Sequence, residues 1–487
     1  MTHNPLNEIM NARSIAFYGA SNNLSKMGSS QLVTLLCNGY RGRIYPIHPS
    51  EHSVFGLPAY KKISDIGEPV DCAVIVLPTK LVPAVIEELG EAGVYRAVIV
   101  TAGFKEVGCA DLQRELDRAA QKAGVRYVGP NCIGVANLRE HYNITVFPFE
   151  GEPGVIGMLS HSGTFVTHVL PYLHARRLNY AEAISLGNEG DLDIVDGLDY
   201  MAGRDTIKTI TCYIETVRRG REFIDKAAEV SKIKPVVALY ASGTEAGARA
   251  TASHTAAMAS SEGIMDGVFR KTGIIRAASL EEMFDFSCVL SRCSLPAGKR
   301  IGILTNSGGP GALMADTVCR LGLELPMFSE GLQDAISEFS PHTASLSNPV
   351  DFTFINNWEA FFSRVPLIIA ESGEVDVLLF YGLFGIETFL HYRDNPAVAP
   401  SLDRAMIQAT LGLGNALKVK IGDALADLPI PVICSTFLDF NEPLIAHLVE
   451  RGIPFLPTPE RAARAAGALC RYASWRSLCV EEDAVTV

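Results

Sequence analysis

Along the first 130 residues, short apolar runs alternate with amphipathic stretches. RSIAFYGAS reads as a strand and a turn, QLVTLLCNGY as a helix closed at Gly39, and RIYPIHP as a second strand stopped at Pro49. DCAVIVLP (residues 71–78) and RAVIVTAG (residues 96–103) are further strands. Between them, KLVPAVIEELGEAG places apolar residues at the three- and four-residue spacing of a helix. LQRELDRAAQKAG adds another helix, and VRYVGPN closes the run. Strands apolar on both faces and separated by helices predict a parallel sheet covered on both sides.

The same alternation starts again twice. After the loop EGEPG come the strands GVIGMLSHSG, AEAISLG, IKTITCYI and KPVVALYA, and then the helical stretch EEMFDFSCVLSRC. SLPAGKR (residues 294–300) reads as a linker. Beyond it lie RIGILTNSGG, VDVLLFYG, PVICSTFL, GIPFLP and the Ala- and Arg-rich helix ERAARAAGALCRYASW. The chain is therefore expected to form three α/β domains, over 1–150, 151–293 and 300–487. The second and third open alike. IGMLSHSG (residues 156–163) and IGILTNSG (residues 301–308) each put a hydroxyl, a polar residue, Ser and Gly directly after a strand. Such a turn suits anion binding at a helix start, and it equally suits ordinary capping.

With 487 residues, two or three cores are expected, and 48% hydrophobic residues fill them. Against 42 Lys and Arg stand 54 Asp and Glu, a net charge of -12, which argues against tracking a nucleic acid backbone. The 11 cysteines show no CxxC pair and no regular Cys/His spacing, so neither a disulfide framework nor a metal site is expected. MTHNPLNEIMNARS lacks the basic-then-apolar order of a secretory signal, and no apolar run approaches a membrane span. These features predict a cytoplasmic protein without membrane or nucleic acid partners.

Candidate chemistry begins in the first turn, GASNNLSKMGSS (residues 19–30). Gly19 and Gly28 permit tight turns, and the small residues between them let backbone N–H groups approach a phosphate. The turn is not a GxGxxG match. A nicotinamide enzyme needs an acid after the second strand, where Ile47, His48, Pro49 and Ser50 stand. Glu51 is slightly late for that role, and a dinucleotide-dependent oxidoreductase is kept as an alternative on it. In GPNCIG, at a strand end, Asn131 can position a polar ligand atom, and Cys132 reads as a lining thiol in preference to a nucleophile. GNEGDLD (residues 187–193) lacks EF-hand spacing and reads as a structural or active-site loop. NPVDF (residues 348–352) reads as an Asx-type turn, with Asp351 structural. Taken alone, His254 is a ligand, a catalyst or a surface cap, and Glu215 a solvated acid at a strand edge.

Several motifs occur in one order: GAS followed by Gly28, IYPIHP, VDCAVIVLP, TAGF, GPNCIG, SHSGT, SLGNEGDLD, YIETV, SHTA, TNSGGPG, NPVDF and FLPTPERA. With them the chain resembles the α subunit of ADP-forming (more generally NDP-forming) acyl-CoA synthetases, of the succinyl-CoA synthetase superfamily. The resemblance implies a Rossmann-like CoA-binding domain followed by two flavodoxin-like succinyl-CoA synthetase-type domains. It places coenzyme A beside Gly19, Ala20, Ser21, Lys26, Gly28, His48, Pro49, Asn131 and Cys132. It implies a phosphorylated histidine at His254, supported by Glu215, with Ser160, Ser162, Gly163 and Thr164 receiving the phosphate. The implied reaction interconverts acyl-CoA, ADP and phosphate with a carboxylic acid, ATP and CoA. It further implies an ATP-grasp β subunit that holds ADP or ATP with Mg in a hetero-oligomer, and a small carboxylic acid as substrate. The chain departs from the family pattern at His161 (Gln or Arg expected), Tyr240 (Lys), Gly243 (Arg), Ala256 (Gly) and His48 (Asn). Loss of positive charge near a phosphate motivates a second alternative, a non-catalytic, CoA-sensing subunit.

Overall fold

The structure is a computed structural model that describes residues 4–247, 261–355, 357–382, 395–401 and 419–485. His254 and Ala256 lie outside the described residues. The chain divides into two compact units. The first holds the chain up to His174 together with Leu178–Ser279, and the second holds Ala175–Arg177 and Leu280–Val487.

In the first unit, strands β1 (Ser14–Tyr18), β2 (Arg43–Ile47), β3 (Cys72–Ile75), β4 (Arg96–Ile99) and β5 (Arg126–Val128) form a parallel sheet in the order β2-β1-β3-β4-β5. Ile15 and Phe17 of β1 enter one hydrophobic cluster, while Ala16 and Tyr18 enter another on the opposite face. The apolar runs thus reflect burial on both sides of a doubly wound sheet. The strand order reverses between β1 and β3, and such folds receive ligands in the crevice at that switch point. Gly19, which follows β1, has φ +94°, and a Cβ there would stand 2.0 Å from the Val76 carbonyl oxygen. The helix Met27–Cys37 begins equally close, since a Cβ on Gly28 would lie 2.7 Å from the Gly19 oxygen.

A second sheet in the same unit has seven strands. They are β6 (Val135–Asn137), β7 (Tyr142–Asn143), β8 (Ile156–Ser160), β9 (Tyr180–Ser185), β10 (Thr209–Ile214), β11 (Val236–Tyr240) and β12 (Ile275–Ala277), in the order β12-β11-β10-β8-β9-β6-β7. All neighbours are parallel except β6 with β9 and β6 with β7. Residues 135–143, which follow the first sheet in sequence, are therefore built into the second. GVANLREHYN has no apolar alternation that would declare its sheet, and backbone pairing with β9 decides it.

The second unit carries a five-stranded parallel sheet of β13 (Ile301–Thr305), β14 (Val350–Asp351), β15 (Val377–Tyr381), β16 (Val432–Ser435) and β17 (Phe455–Leu456), in the order β14-β13-β15-β16-β17. The helix Leu280–Arg292, which precedes the linker at 294–300, packs against the long helix Pro459–Val485 of this unit. Arg461 grips the buried Asp285 carboxylate with Nε to Oδ2 at 2.6 Å and Nη2 to Oδ1 at 2.8 Å. The compact units consequently part at Ser279, ahead of that linker. In NPVDF, the Asp351 carboxylate accepts the Thr353 N–H at 3.0 Å, and the Asn348 amide bonds to Ile301, Ile303 and Pro326 of its own unit. This is a structural turn.

All 11 cysteines are free. Among the described residues no cluster of His, Cys, Asp and Glu suits a metal ion, and no helix is long and apolar enough to cross a membrane.

Candidate functional site

The first unit contains a cavity of about 560 Å³ between the carboxyl edge of its first sheet and the turn after β8. Thr101, Asn131 and Cys132 line one side, and His161, Ser162, Gly163 and Thr164 line the other, with Glu215 at the end of β10. Of the residues expected from the sequence, Asn131, Cys132, Ser162, Gly163, Thr164 and Glu215 meet here. Ser160 sits just beneath, fully buried. Gly19, Ala20, Ser21, Lys26, Gly28, His48 and Pro49 do not line the cavity, although Met27 beside them does.

That glycine loop is tightly built. The Ser29 hydroxyl donates to the Ser21 carbonyl at 2.7 Å and accepts the Ser21 N–H at 3.0 Å. Ala20 is buried, and Lys26 stands at the residue before the helix Met27–Cys37 without a side-chain capping bond. His48 Nδ1 accepts the Glu51 N–H at 3.0 Å. The Glu51 carboxylate accepts the Asn22 N–H at 3.2 Å and also the Asn22 side-chain amide. It is engaged in closing the loop. Gly19 and Gly28 let the turn, the Val76 backbone and the helix start pack against one another where a Cβ would meet protein backbone, and a tight glycine turn ahead of a helix N-terminus is the kind of geometry that fits a coenzyme A diphosphate.

Asn131 adopts φ +59°. Its amide donates to Asn188 Oδ1 at 3.2 Å, while Asn188 donates to Glu106 at 2.6 Å. Lys105 completes this network by donating to the Asn188 carbonyl at 2.6 Å. Cys132 is buried with its Sγ 3.4 Å from the Ile99 carbonyl, and burial pushes the thiol up to about 12. A neutral thiol at neutral pH is a lining group and not a nucleophile.

The turn after β8 is closed by its own hydroxyl. Ser160 Oγ donates to the Ser162 carbonyl at 2.6 Å and accepts the Ser162 N–H at 3.1 Å. Gly163 is required by close packing, since a Cβ would come within 2.8 Å of Ile133 Cβ. β13 ends in the same device, with Thr305 Oγ1 donating to the Ser307 carbonyl at 2.9 Å and accepting its N–H at 3.0 Å. The shared motif is thus a shared turn.

His161 and Glu189 form the buried centre. The ring Nε2 lies 2.9 Å from Glu189 Oε1, with side-chain exposures of 1% and 2%. Glu189 Oε1 also accepts the Ile194 N–H at 2.8 Å. On its other side, His161 Nδ1 accepts the Glu215 backbone N–H at 2.9 Å. Burial opposes a charged ring, but Glu189, Glu215 and Asp193 outweigh it and raise the pKa above the ordinary imidazole value. The Glu215 N–H needs an unprotonated Nδ1, however. While that bond stands, the ring is neutral, with its hydrogen on Nε2 facing Glu189. From the sequence His161 is only a departure from a pattern and Glu189 only a member of an acid-rich loop. Their partnership spans two loops and has no local signal.

A CoA binding domain model matches residues 13–137, and a succinyl-CoA ligase like flavodoxin domain model matches residues 153–290. The α subunit of acetate–CoA ligase (ADP-forming) II from Pyrococcus furiosus is 34% identical over 472 residues, 96% of this chain and 98% of that one. Acetate–CoA ligase (ADP-forming) I of Archaeoglobus fulgidus is 38% identical over 367 residues, and the match spans 75% of this chain but 53% of that protein. The chain thus corresponds in length to separate α subunits and spans about half of longer relatives. The solved dinucleotide forming acetyl-coenzyme A synthetase 1 of Ca. Korarchaeum cryptofilum, in complex with phosphate and ADP, superposes with a TM-score of 0.85. It has 34% identity and 99% coverage of both chains.

These matches define a two-part α/β protein of the succinyl-CoA ligase type with a CoA-binding domain. Within that class, the chain belongs to the family of α subunits of ADP-forming acetate–CoA ligases.

Proposed function

We propose that this chain is the CoA-binding α subunit of an ADP-forming acyl-CoA synthetase that works through a phosphohistidine at His254. The observation that carries the reading is the single cavity in which Asn131 and Cys132, at the end of the CoA-type sheet, face Ser162, Gly163, Thr164 and Glu215. A thioester held at the first group lies beside a turn suited to phosphate.

In the acid-forming direction, a phosphate oxygen attacks the thioester carbonyl carbon. The C–S bond breaks, and the CoA thiolate leaves and takes up a proton. An imidazole nitrogen of His254 then attacks the phosphorus of the acyl phosphate, and the carboxylate departs. Backbone N–H groups of Gly163 and Thr164 offset the phosphoryl charge, the Ser162 N–H being held by Ser160. The Glu215 carboxylate holds the other imidazole nitrogen as a donor, so that the attacking one carries a lone pair. The phosphoryl group passes finally to ADP, which is held with Mg on an ATP-grasp β subunit. The relatives named for acetate support a small carboxylic acid as the substrate. The protein is cytoplasmic in this reading and works as a hetero-oligomer, without membrane or nucleic acid.

The test is mass spectrometry after incubation with acetyl-CoA and phosphate in the presence of the partner subunit. Phosphate on His254, absent in His254→Ala, is expected. An active complex that never labels His254, or one that His254→Ala leaves fully active, overturns the proposal and favours the non-catalytic CoA-sensing alternative.

A further inference from the structure

At the amino edge of the first sheet, one strand length and so roughly 15 Å from the Gly19 loop, a second cavity of about 450 Å³ opens. Arg13, Arg41, Arg43 and Arg139 all line it, and Glu140 is the one carboxylate among its lining residues. Such a concentration of positive charge stands out on a chain of net charge -12.

Three of these guanidinium groups are uncommitted. Among the described residues, no ion pair or side-chain hydrogen bond engages Arg13, Arg41 or Arg139. Arg43 pairs with Glu68. Asp71, the other nearby acid, spends its carboxylate on the backbone N–H groups of Arg13 and Ser14 at 2.8 and 2.9 Å. Like charges drawn together without counter-charge repel one another, and an anion relieves this.

The walls are fixed although the arginine tips are exposed. Arg43 N–H donates to the Arg13 carbonyl at 2.8 Å, and Tyr40 OH donates to the Ala12 carbonyl at 2.7 Å. Gly42 is pressed into this corner, where a Cβ would lie 2.1 Å from the Tyr40 oxygen and 2.6 Å from the Arg13 carbonyl. Arg139 approaches from the turn Leu138–Glu140, so the arginines converge from three separate segments.

We propose that this pocket is an anion site for a small, multiply charged phosphate compound, a pyrophosphate or nucleoside diphosphate, separate from the CoA loop. Several guanidinium forks around a recess match adjacent phosphate groups bidentately. The volume suits a molecule of nucleotide size, whereas an acidic polypeptide calls for an extended face. The inference does not depend on the phosphohistidine reading.

The test is calorimetry of the full chain with inorganic pyrophosphate and, separately, with ADP, both without Mg, comparing wild type with the triple variant Arg13→Gln, Arg41→Gln, Arg139→Gln. A loss of affinity of tenfold or more with CoA binding unchanged supports the site. Loss for both probes assigns it to nucleotides, and loss for pyrophosphate alone to free phosphates. If the triple variant has a lowered unfolding temperature, Arg139→Gln alone should still weaken binding at least threefold. The proposal is overturned if wild type binds neither probe at millimolar concentration, if the variant binds as wild type does, or if only polyaspartate binds.

Discussion

His161 Nδ1 accepts the backbone N–H of Glu215 at 2.9 Å, while the same ring meets Glu189 at 2.9 Å on its other side. One buried imidazole therefore ties the end of β10 to the loop after β9. His161→Leu leaves the buried Glu215 N–H without its acceptor and the buried Glu189 carboxylate without the imidazole beside it, although Glu189 keeps the Ile194 N–H, at a cost of about 3–5 kcal/mol. His161→Gln retains an acceptor for Glu215 and a donor for Glu189, and should cost about 1 kcal/mol. Urea unfolding checks both values. His254 labelling should fall in the leucine variant more than in the glutamine variant.

Gly19 lies at the switch point of the first sheet with φ +94° and no room for a Cβ beside Val76. Gly19→Ala should destabilise the first unit by about 1–3 kcal/mol and displace the loop, weakening CoA binding about tenfold or more in calorimetry. CoA affinity equal to wild type would remove this loop from the coenzyme site.

Burial raises the Cys132 thiol to about 12. At pH 8 its thiolate fraction in the folded protein is on the order of one in ten thousand. The exposed Cys37, Cys109 and Cys319 should react with iodoacetamide first, and Cys132 only on unfolding, as peptide mass spectrometry would record. The neutral thiol is the form favoured by folding. Its contribution to stability is therefore constant below the unfolded thiol's pKa, near 8.5, and is lost as pH rises from there towards about 12.

Thr305 closes its turn by hydrogen bonds at 2.9 and 3.0 Å. Thr305→Val removes both and leaves the Ser307 N–H without its acceptor, so a loss of about 1–3 kcal/mol in the second unit is expected. Thr305→Ser keeps the hydroxyl, as Ser160 does in β8, and should cost about 1 kcal/mol through its lost methyl. A larger loss in Thr305→Ser than in Thr305→Val would show that the methyl, packed near Gly311, matters more than the turn.

The α/β class, the succession of strands and the two hydroxyl-closed turns are legible in the sequence, because each depends on neighbours in the chain. A strand buried on both faces is apolar throughout, as SIAFY and CAVI are. A turn closed by a hydroxyl two residues away needs only Ser or Thr there. The need for glycine at position 19 is legible as a loop, but its cause, the Val76 carbonyl across the switch point, is not. Tertiary structure alone decides that residues 135–143 pair with β9, that Leu280–Arg292 packs on the final helix, and that His161 lies between Glu189 and Glu215. His161 and Glu215 stand 54 residues apart. Local patterning reports whether a side chain is to be buried. Which distant donor meets it depends on how the sheets place their edges, and that becomes definite only when the whole unit has packed.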